Sequence, residues 1–359
     1  MAESLLYPML FEPNMHPVVW GGKRLMAWKK SGEADKEQPI GESWEVSAVA
    51  SSPSIIANGT YAGKPLPDVI SSHPVEILGK AVAERYGNKL PLLVKFIDAE
   101  RDLSIQVHPD DVMAQREHGK FGKTEMWYVI DAKPGAYLYA GFKKRLTPDE
   151  YKQKITDGTI TDALARHEVH PGDVFYIPAG RVHAICGGIL LAEVQQSSDV
   201  TYRIYDYNRP GMDGKPRELH TDLAARALDF DVHDEYRTIY TSAEAQANHC
   251  IDSPFFNVRV VDIDGPFHRN LIKYDSFIIT MCIENNCRLR MRMTGDEVEL
   301  REGWSCLIPA AIADYDIIPT GNATSGNTPT HVKLLDAHID NKDKSLMRMA
   351  TRFLHITRK

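Results

Sequence analysis

Cysteine is scarce and unpaired in this chain of 359 residues: the five, at 186, 250, 282, 287 and 306, form no C-x-x-C. An odd number at irregular spacing predicts a reduced, intracellular protein rather than a disulfide framework. Long apolar runs are also missing. No segment approaches the roughly 18 apolar residues of a membrane span, and the start, MAESLLYPMLFEPNMHPVVW, has no basic head followed by an apolar stretch. The expectation is a cytoplasmic protein with no membrane partner. Nor is basic charge in excess: 42 Lys and Arg face 49 Asp and Glu, a net charge of -7. That balance argues against a nucleic-acid partner, while a few local cations suffice for a small anion. Finally, there is no G-x-G-x-x-G after a strand and no Walker loop, so a nucleotide-binding α/β domain is unsupported.

What is present is ordinary globular material, 43% hydrophobic and 25% charged, in a length that suits about two domains. Residues 1–60 read as extended, with strand-like LLYPML and SWEVSAV. Residues 74–87 read as a helix begun by Pro74 and ended by Gly87. LPLLVKFIDA and LSIQVH form strand, turn and strand. A short helix follows in 110–119, then strands in TEMWYVI and KPGAYLYAGF. Residues 147–168 read as a helical insertion broken at Gly158, with Thr147 and Glu150 as a capping box. DVFYIP, GILLAEVQ and VTYRIYDY are short strands, 208–220 is a polar loop, and LHTDLAARALDF holds a helical turn or two. Short strands dominate 250–340, and KSLMRMATRFLHITRK reads as helix, then strand. This pattern predicts an all-β barrel or sandwich with helical insertions. GDVFYIPAGRVH at 172–183 is echoed by GWSCLIPAAIAD at 303–314, with Ala311 and Asp314 in the places of Gly180 and His183. The echo is either chance or a second barrel that has lost its histidine.

The chemistry concentrates in a few strands. Side chains alternate across a strand, so Ser104, Gln106 and His108 share one face and Leu103, Ile105 and Val107 the other. Lys123, Glu125 and Trp127 likewise share a face, and His183 follows the Pro178–Gly180 turn. Two imidazoles, a carboxylate and an amide oxygen form a donor set that suits zinc. Glu193 stands among apolar neighbours and Arg203 in an aromatic strand; they read either as functional groups or as an ion pair with each other. Lys123, Arg209 and Lys215 are candidates to add positive charge for an anion, and Arg209 and Lys215, in a polar loop, read equally well as solvated. Trp44 reads as core, and His16, His118, His167 and His170 as structural.

These motifs resemble the type I mannose-6-phosphate isomerases (phosphomannose isomerases), members of the cupin superfamily, in the shorter bacterial form. The matching stretches are WGG at 20–22, GESWEVSA at 41–48, PLLVKFIDAERDLSIQVHPDD at 91–111, GKTEMWYV at 122–129, VHPGDVFYIPAGRVHAI at 169–185, LLAEVQQSSDVTYRIYDYNR at 190–209 and GKPRELH at 214–220. The resemblance implies a mainly β cupin fold: a catalytic double-stranded β-helix (jelly-roll barrel) in 1–240 carrying the helical insertions, and a degenerate cupin-like β domain in 241–359. It implies one zinc ion per chain, held by Gln106, His108, Glu125 and His183. It gives catalytic roles to Arg203, Glu193 and Lys123, and substrate contacts to Ser104, Lys123, Arg203 and Arg209. Arg209 stands where longer forms have a phosphate-binding lysine, and position 187 is glycine where the general cupin pattern often has asparagine. The implied reaction is the interconversion of mannose 6-phosphate and fructose 6-phosphate through an enediolate, by a monomer or weak homodimer acting on a small phosphosugar. Two other classes share parts of the pattern. A non-haem iron cupin oxygenase uses two histidines and a carboxylate but needs several open positions. A non-catalytic sugar-binding cupin would lack a use for Lys123, Glu193 and Arg203.

Overall fold

A computed structural model of the chain describes residues 6–29, 38–243, 246–320 and 331–340. The fold is mainly β. In the N-terminal part, β1 (Met9–Leu10) and β2 (Met15–Gly22) lead through α1 (Arg24–Trp28) to β3 (Ile40–Val46). Three short helices follow: α2 (Leu66–Ser72), α3 (Pro74–Leu78) and α4 (Lys80–Tyr86). The sequence predicts one helix over 74–87, whereas the structure breaks it at Gly79, whose φ of 88° leaves the helical region. A Cβ there would stand 2.1 Å from the Asp275 carbonyl oxygen, so glycine lets a distant loop lie against the break.

β4 (Leu92–Ala99) and β5 (Ile105–Val107) are the expected strand pair, followed by α5 (Asp111–His118), capped by the Asp110 carboxylate accepting from the Met113 amide. Then come β6 (Glu125–Ala132), β7 (Tyr137–Phe142) and α6 (Pro148–Thr156), the last with the predicted capping box. The helical insertion stops short of its predicted end at 168: β8 (Leu164–Glu168) is a strand paired with β7, because an exposed edge of that sheet was open to it. β9 (Val174–Ile177), β10 (His183–Ile185), β11 (Ile189–Gln196), β12 (Tyr202–Tyr205) and α7 (Thr221–Ala227) complete this part. The rest is strand: β13 (Gln246–Asp252), β14 (Asn257–Ile263), β15 (Phe267–Asn270), β16 (Ile278–Glu284), β17 (Cys287–Met291), β18 (Glu297–Leu300), β19 (Ser305–Ile308), β20 (Asp314–Pro319) and β21 (Val332–His338). The predicted final helix and strand lie outside the described residues.

The strands form four sheets, in the orders β2-β3-β4-β11-β6-β9, β12-β5-β10-β7-β8, β1-β19-β16-β21-β14-β13 and β15-β20-β17-β18. Apart from β1, β2 and β12, the last two repeat the strand order of the first two. β9-β6-β11-β4-β3 answers to β19-β16-β21-β14-β13, and β5-β10-β7-β8 to β15-β20-β17-β18. The two sequence echoes fall on matching strands, β9–β10 and β19–β20.

Parity along the strands assigns the layers. Val94, Phe96, Met126, Tyr128, Ala192 and Val194 turn outward from the first pair of sheets and meet Val258, Val260, Ile279, Met281, Leu335 and Ala337 of the second in one core. Ile105, Val107, Ala184, Tyr202 and Ile204 turn the other way, under helices α5–α7. What remains for the interior of the first pair is apolar at one end, with Ile97, Trp127, Val129, Ile185 and Leu191, and polar at the other.

Candidate metal and anion site

Strand β5 places the site. It lies between β10 and β12, with Gln106 opposite both His183 and Arg203. Because Ile105 and Val107 fill the helix-facing layer, Gln106 must face inward, and His108 follows on the same side. The Pro178–Gly180 turn brings His183 in. Gly180 adopts φ 90°, and its amide donates to the His108 carbonyl at 2.9 Å, which ties the two histidine segments together. Lys123 is held similarly, its amide donating to the Pro109 carbonyl at 3.0 Å.

His108, Glu125 and His183 converge: one ligand atom from each lies within 4.8 Å of the others, and all three residues are buried. His108 Nε2 stands 3.3 Å from Glu125 Oε2, and His183 Nε2 3.4 Å from Oε1. Each ring has its Nδ1 on a backbone carbonyl, His108 on Val200 at 3.1 Å and His183 on Arg181 at 2.8 Å. That bond holds the proton on Nδ1 and leaves Nε2 with a lone pair aimed inward. His108 Nε2 and both Glu125 oxygens have no hydrogen-bond partner. Buried polar atoms left this way are costly, and a cation between them would satisfy all of them. The residues therefore fit a metal ion. Gln106 abuts the cluster, its amide nitrogen 3.3 Å from His183 Nε2.

Electrostatics keep the donors ready. Burial, with the Lys123 ammonium nearby, pulls His108 down to about 3 against the opposing pull of Glu125. Burial lowers His183 too. Burial pushes the Glu125 carboxyl up, but Lys123 and the two imidazoles outweigh it and hold it well below the usual carboxylate range. The donors are thus neutral imidazole and carboxylate, the forms that bind metals. Lys123 Nζ lies 3.2 Å from Glu125 Oε2.

Beside the cluster stands a network in which the sequence analysis saw only Glu193. The expected alternative of a Glu193–Arg203 ion pair is not formed. Glu193 accepts from Trp127 Nε1 at 3.1 Å and pairs with Lys95 Nζ at 3.4 Å. Lys95 also reaches Glu42 at 3.2 Å. Burial, reinforced by Glu125, raises the Glu193 carboxyl against the pull of Lys95 and Lys123. Burial disfavours the Lys95 charge, but Glu42, Glu193 and Glu125 more than restore it. A signal for Lys95 was available: it is the one cation in the apolar run PLLVKFI, at inward parity.

Trp44 corrects its reading as core. It is half-buried, opposite Lys95 on the neighbouring strand, with its Nε1 donating to Glu42 at 2.6 Å and its ring stacked on His16 at 4.5 Å. It walls the polar end.

Arg203 is half-buried on the inner face of β12, one Nη donating to the Glu218 carbonyl at 2.8 Å and Nε unpartnered. Ser104 is buried just ahead of β5. Arg209 is tied down, donating to Asp206 at 2.8 Å and to the Asp102 carbonyl, and Arg217 shares Asp206. Lys215 lies exposed in its loop. A separate cavity of about 540 Å³, lined by Gly21, Gly22, Arg24 and Glu100 among others, contains none of these donors. No helix among the described residues is long and apolar enough to cross a membrane.

Comparison with known proteins places this geometry. Residues 9–155 match the family model described as phosphomannose isomerase type I, catalytic domain. The chain is 36% identical over 316 residues to the probable mannose-6-phosphate isomerase GmuF of Bacillus subtilis, covering 87% of this chain and 96% of that protein. It is 32% identical over 309 residues to the mannose-6-phosphate isomerase of Streptococcus mutans, covering 86% and 94%. The crystal structure of a mannose 6-phosphate isomerase from Bacillus subtilis superposes with a TM-score of 0.81 at 32% identity, over 93% of this chain and 100% of that one.

Proposed function

The chain belongs to the type I phosphomannose isomerase family, and from that membership we propose that it interconverts D-mannose 6-phosphate and D-fructose 6-phosphate using one zinc ion. The observation that carries the reading is the buried convergence of His108, Glu125 and His183 with partnerless atoms, one strand away from Arg203. These three would hold the ion, with Gln106 as a fourth ligand through its amide oxygen. Two nitrogens and two oxygens suit zinc and leave room for substrate. When bound, zinc supplies a fixed positive charge that polarises the sugar carbonyl or orients its hydroxyls.

The chain's own residues do the rest. A proton must leave C2 of the aldose and return at C1, while the O2 hydroxyl gives up its proton and O1 gains one, so that the C1 carbonyl becomes a hydroxyl and the C2 hydroxyl a carbonyl. Glu193 is suited to carry it, since its raised carboxyl accepts and releases a proton nearer the working pH than an exposed carboxylate does. Lys95 and Trp127 hold its oxygens in place. Lys123 and Arg203 present positive charge to the enediolate, where charge develops. Arg203, whose guanidinium has donors to spare, and Arg209 take the phosphate, with Ser104 contacting the sugar. The same reading divides the chain near residue 240 into a catalytic cupin barrel and a second cupin-like barrel without the ligands.

A coupled assay following fructose 6-phosphate tests this on protein as purified, after chelation, and after zinc is restored. Turnover lost to chelator and regained with zinc is expected. Turnover that persists in demonstrably metal-free protein, or none in zinc-loaded protein, rejects the reading.

A further inference from the structure

The second pair of sheets holds a buried polar cluster of its own, at the place matching the polar end of the first. On the larger sheets the correspondence is residue by residue. Glu125 faces Gln195 and Ile177, as Ile278 faces His338 and Ile308. Glu193 faces Lys95, as Asp336 faces Arg259. On the smaller sheets the faces are offset by one residue: His183 and Gln106 turn inward in the first set, Tyr315 and Arg269 in the second. Isoleucine thus stands where the candidate glutamate ligand is in the first set, and Arg259 and Asp336 occupy the positions of Lys95 and Glu193 without forming their ion pair.

The remaining polar groups are not all partnered. Asp336 is fully occupied, accepting from Arg269 Nη2 at 2.9 Å and from Thr280 Oγ1 at 2.9 Å. Arg259 has no carboxylate within 4 Å among the described residues. It donates to the Tyr274 hydroxyl at 3.2 Å and leaves its Nε without a partner. Arg269 Nε is equally partnerless. His338, 1% exposed, has neither ring nitrogen bonded and stands 5.0 Å from the Tyr274 ring. Asp252 and Asp340 also lie near enough to act on His338, so what sets the cluster apart is its unmet groups, which are mostly donors. The rest of this interior, including Leu271, Ile278, Tyr315 and Ile317, is packed apolar core, so any ligand held here must be small. Arg259 and Tyr274 are half-exposed and give a way in.

We propose that this cluster is an oxyanion-binding site in the C-terminal part of the chain, in which Arg259, Arg269 and His338 hold a small tetrahedral anion such as inorganic phosphate or sulfate. It needs no metal and is separate from the candidate active site.

The test is calorimetric titration of the full chain with inorganic phosphate, repeated with sulfate. The wild-type protein is expected to bind one more anion per chain than Arg259→Gln, or to bind it about tenfold more tightly or better, while Arg259→Lys keeps part of the affinity. All three are expected to have equal isomerase activity. Independently, the His338 imidazole signals, assigned by their loss in His338→Gln, are expected to shift in nitrogen NMR as phosphate is added to wild-type protein. Equal stoichiometry and affinity in wild type and Arg259→Gln, or His338 signals that do not move, overturn the proposal. If Arg259→Gln does not fold, the wild-type NMR titration decides alone.

Discussion

At the scale of the residue, partners decide what each charge does. On the proposed reading His108 would hold the metal and Arg203 would not, so the two separate in a metal assay. His108→Ala is expected to lose both bound zinc and turnover, whereas Arg203→Ala loses turnover by about a hundredfold or more with zinc content unchanged; elemental analysis beside the kinetics checks both. His338 sets a pH limit. Burial, with Arg259 and Arg269 beside it, depresses it to about 4 against Asp340 and Asp252. The unfolded chain takes up this proton below about 6.5, the folded chain only below about 4. Stability tied to this group is therefore full above about 6.5 and is lost as pH falls towards 4. His338→Gln is expected to lose less of its neutral-pH melting temperature at pH 4.5 than wild type does, in phosphate-free buffer; equal losses would contradict this. The sequence marked Gln106, His108, Glu125 and His183 through alternation and a proline-glycine turn. It did not single out Lys95 or Glu42: a lone lysine in an apolar run signals a buried cation, but its partners are known only once the facing strands are.

At the scale of the element, close approach matters more than propensity. The break at Gly79 lets the Asp275 carboxylate accept from the Lys80 and Ala81 amides, both at 2.9 Å. Gly79→Ala meets backbone and a positive φ together, and is expected to cost about 1–3 kcal/mol, read as a lowered denaturant midpoint with zinc content preserved. The sequence could place Pro74 and Gly87 at the ends of a helix, since both act locally. It could not see the interruption between them, which answers to a loop nearly 200 residues away. The same holds for β8, helical by its neighbours and a strand by its partner.

At the scale of the whole molecule, the N-terminal segment fastens the two sets of sheets. β1 pairs with β19 of the second set. Buried Lys29 bonds Glu45 at 2.6 Å and the Gly303 carbonyl at 2.5 Å, and Trp28 Nε1 donates to Glu302 at 2.8 Å. Lys29→Ala strands a buried Glu45 and is expected to cost about 3–5 kcal/mol. The double variant Lys29→Met, Glu45→Leu is expected to recover most of it, as chemical denaturation would show. By itself the sequence determined the β class, the candidate donors and the family motifs, because alternation, turn chemistry and ligand type are properties of short stretches. Only the tertiary structure decided which cations lack a carboxylate, that Glu193 pairs with Lys95 and not Arg203, and that the C-terminal sheets repeat the N-terminal ones. Those facts depend on strand register, and register is set by how the sheets bury their faces against one another.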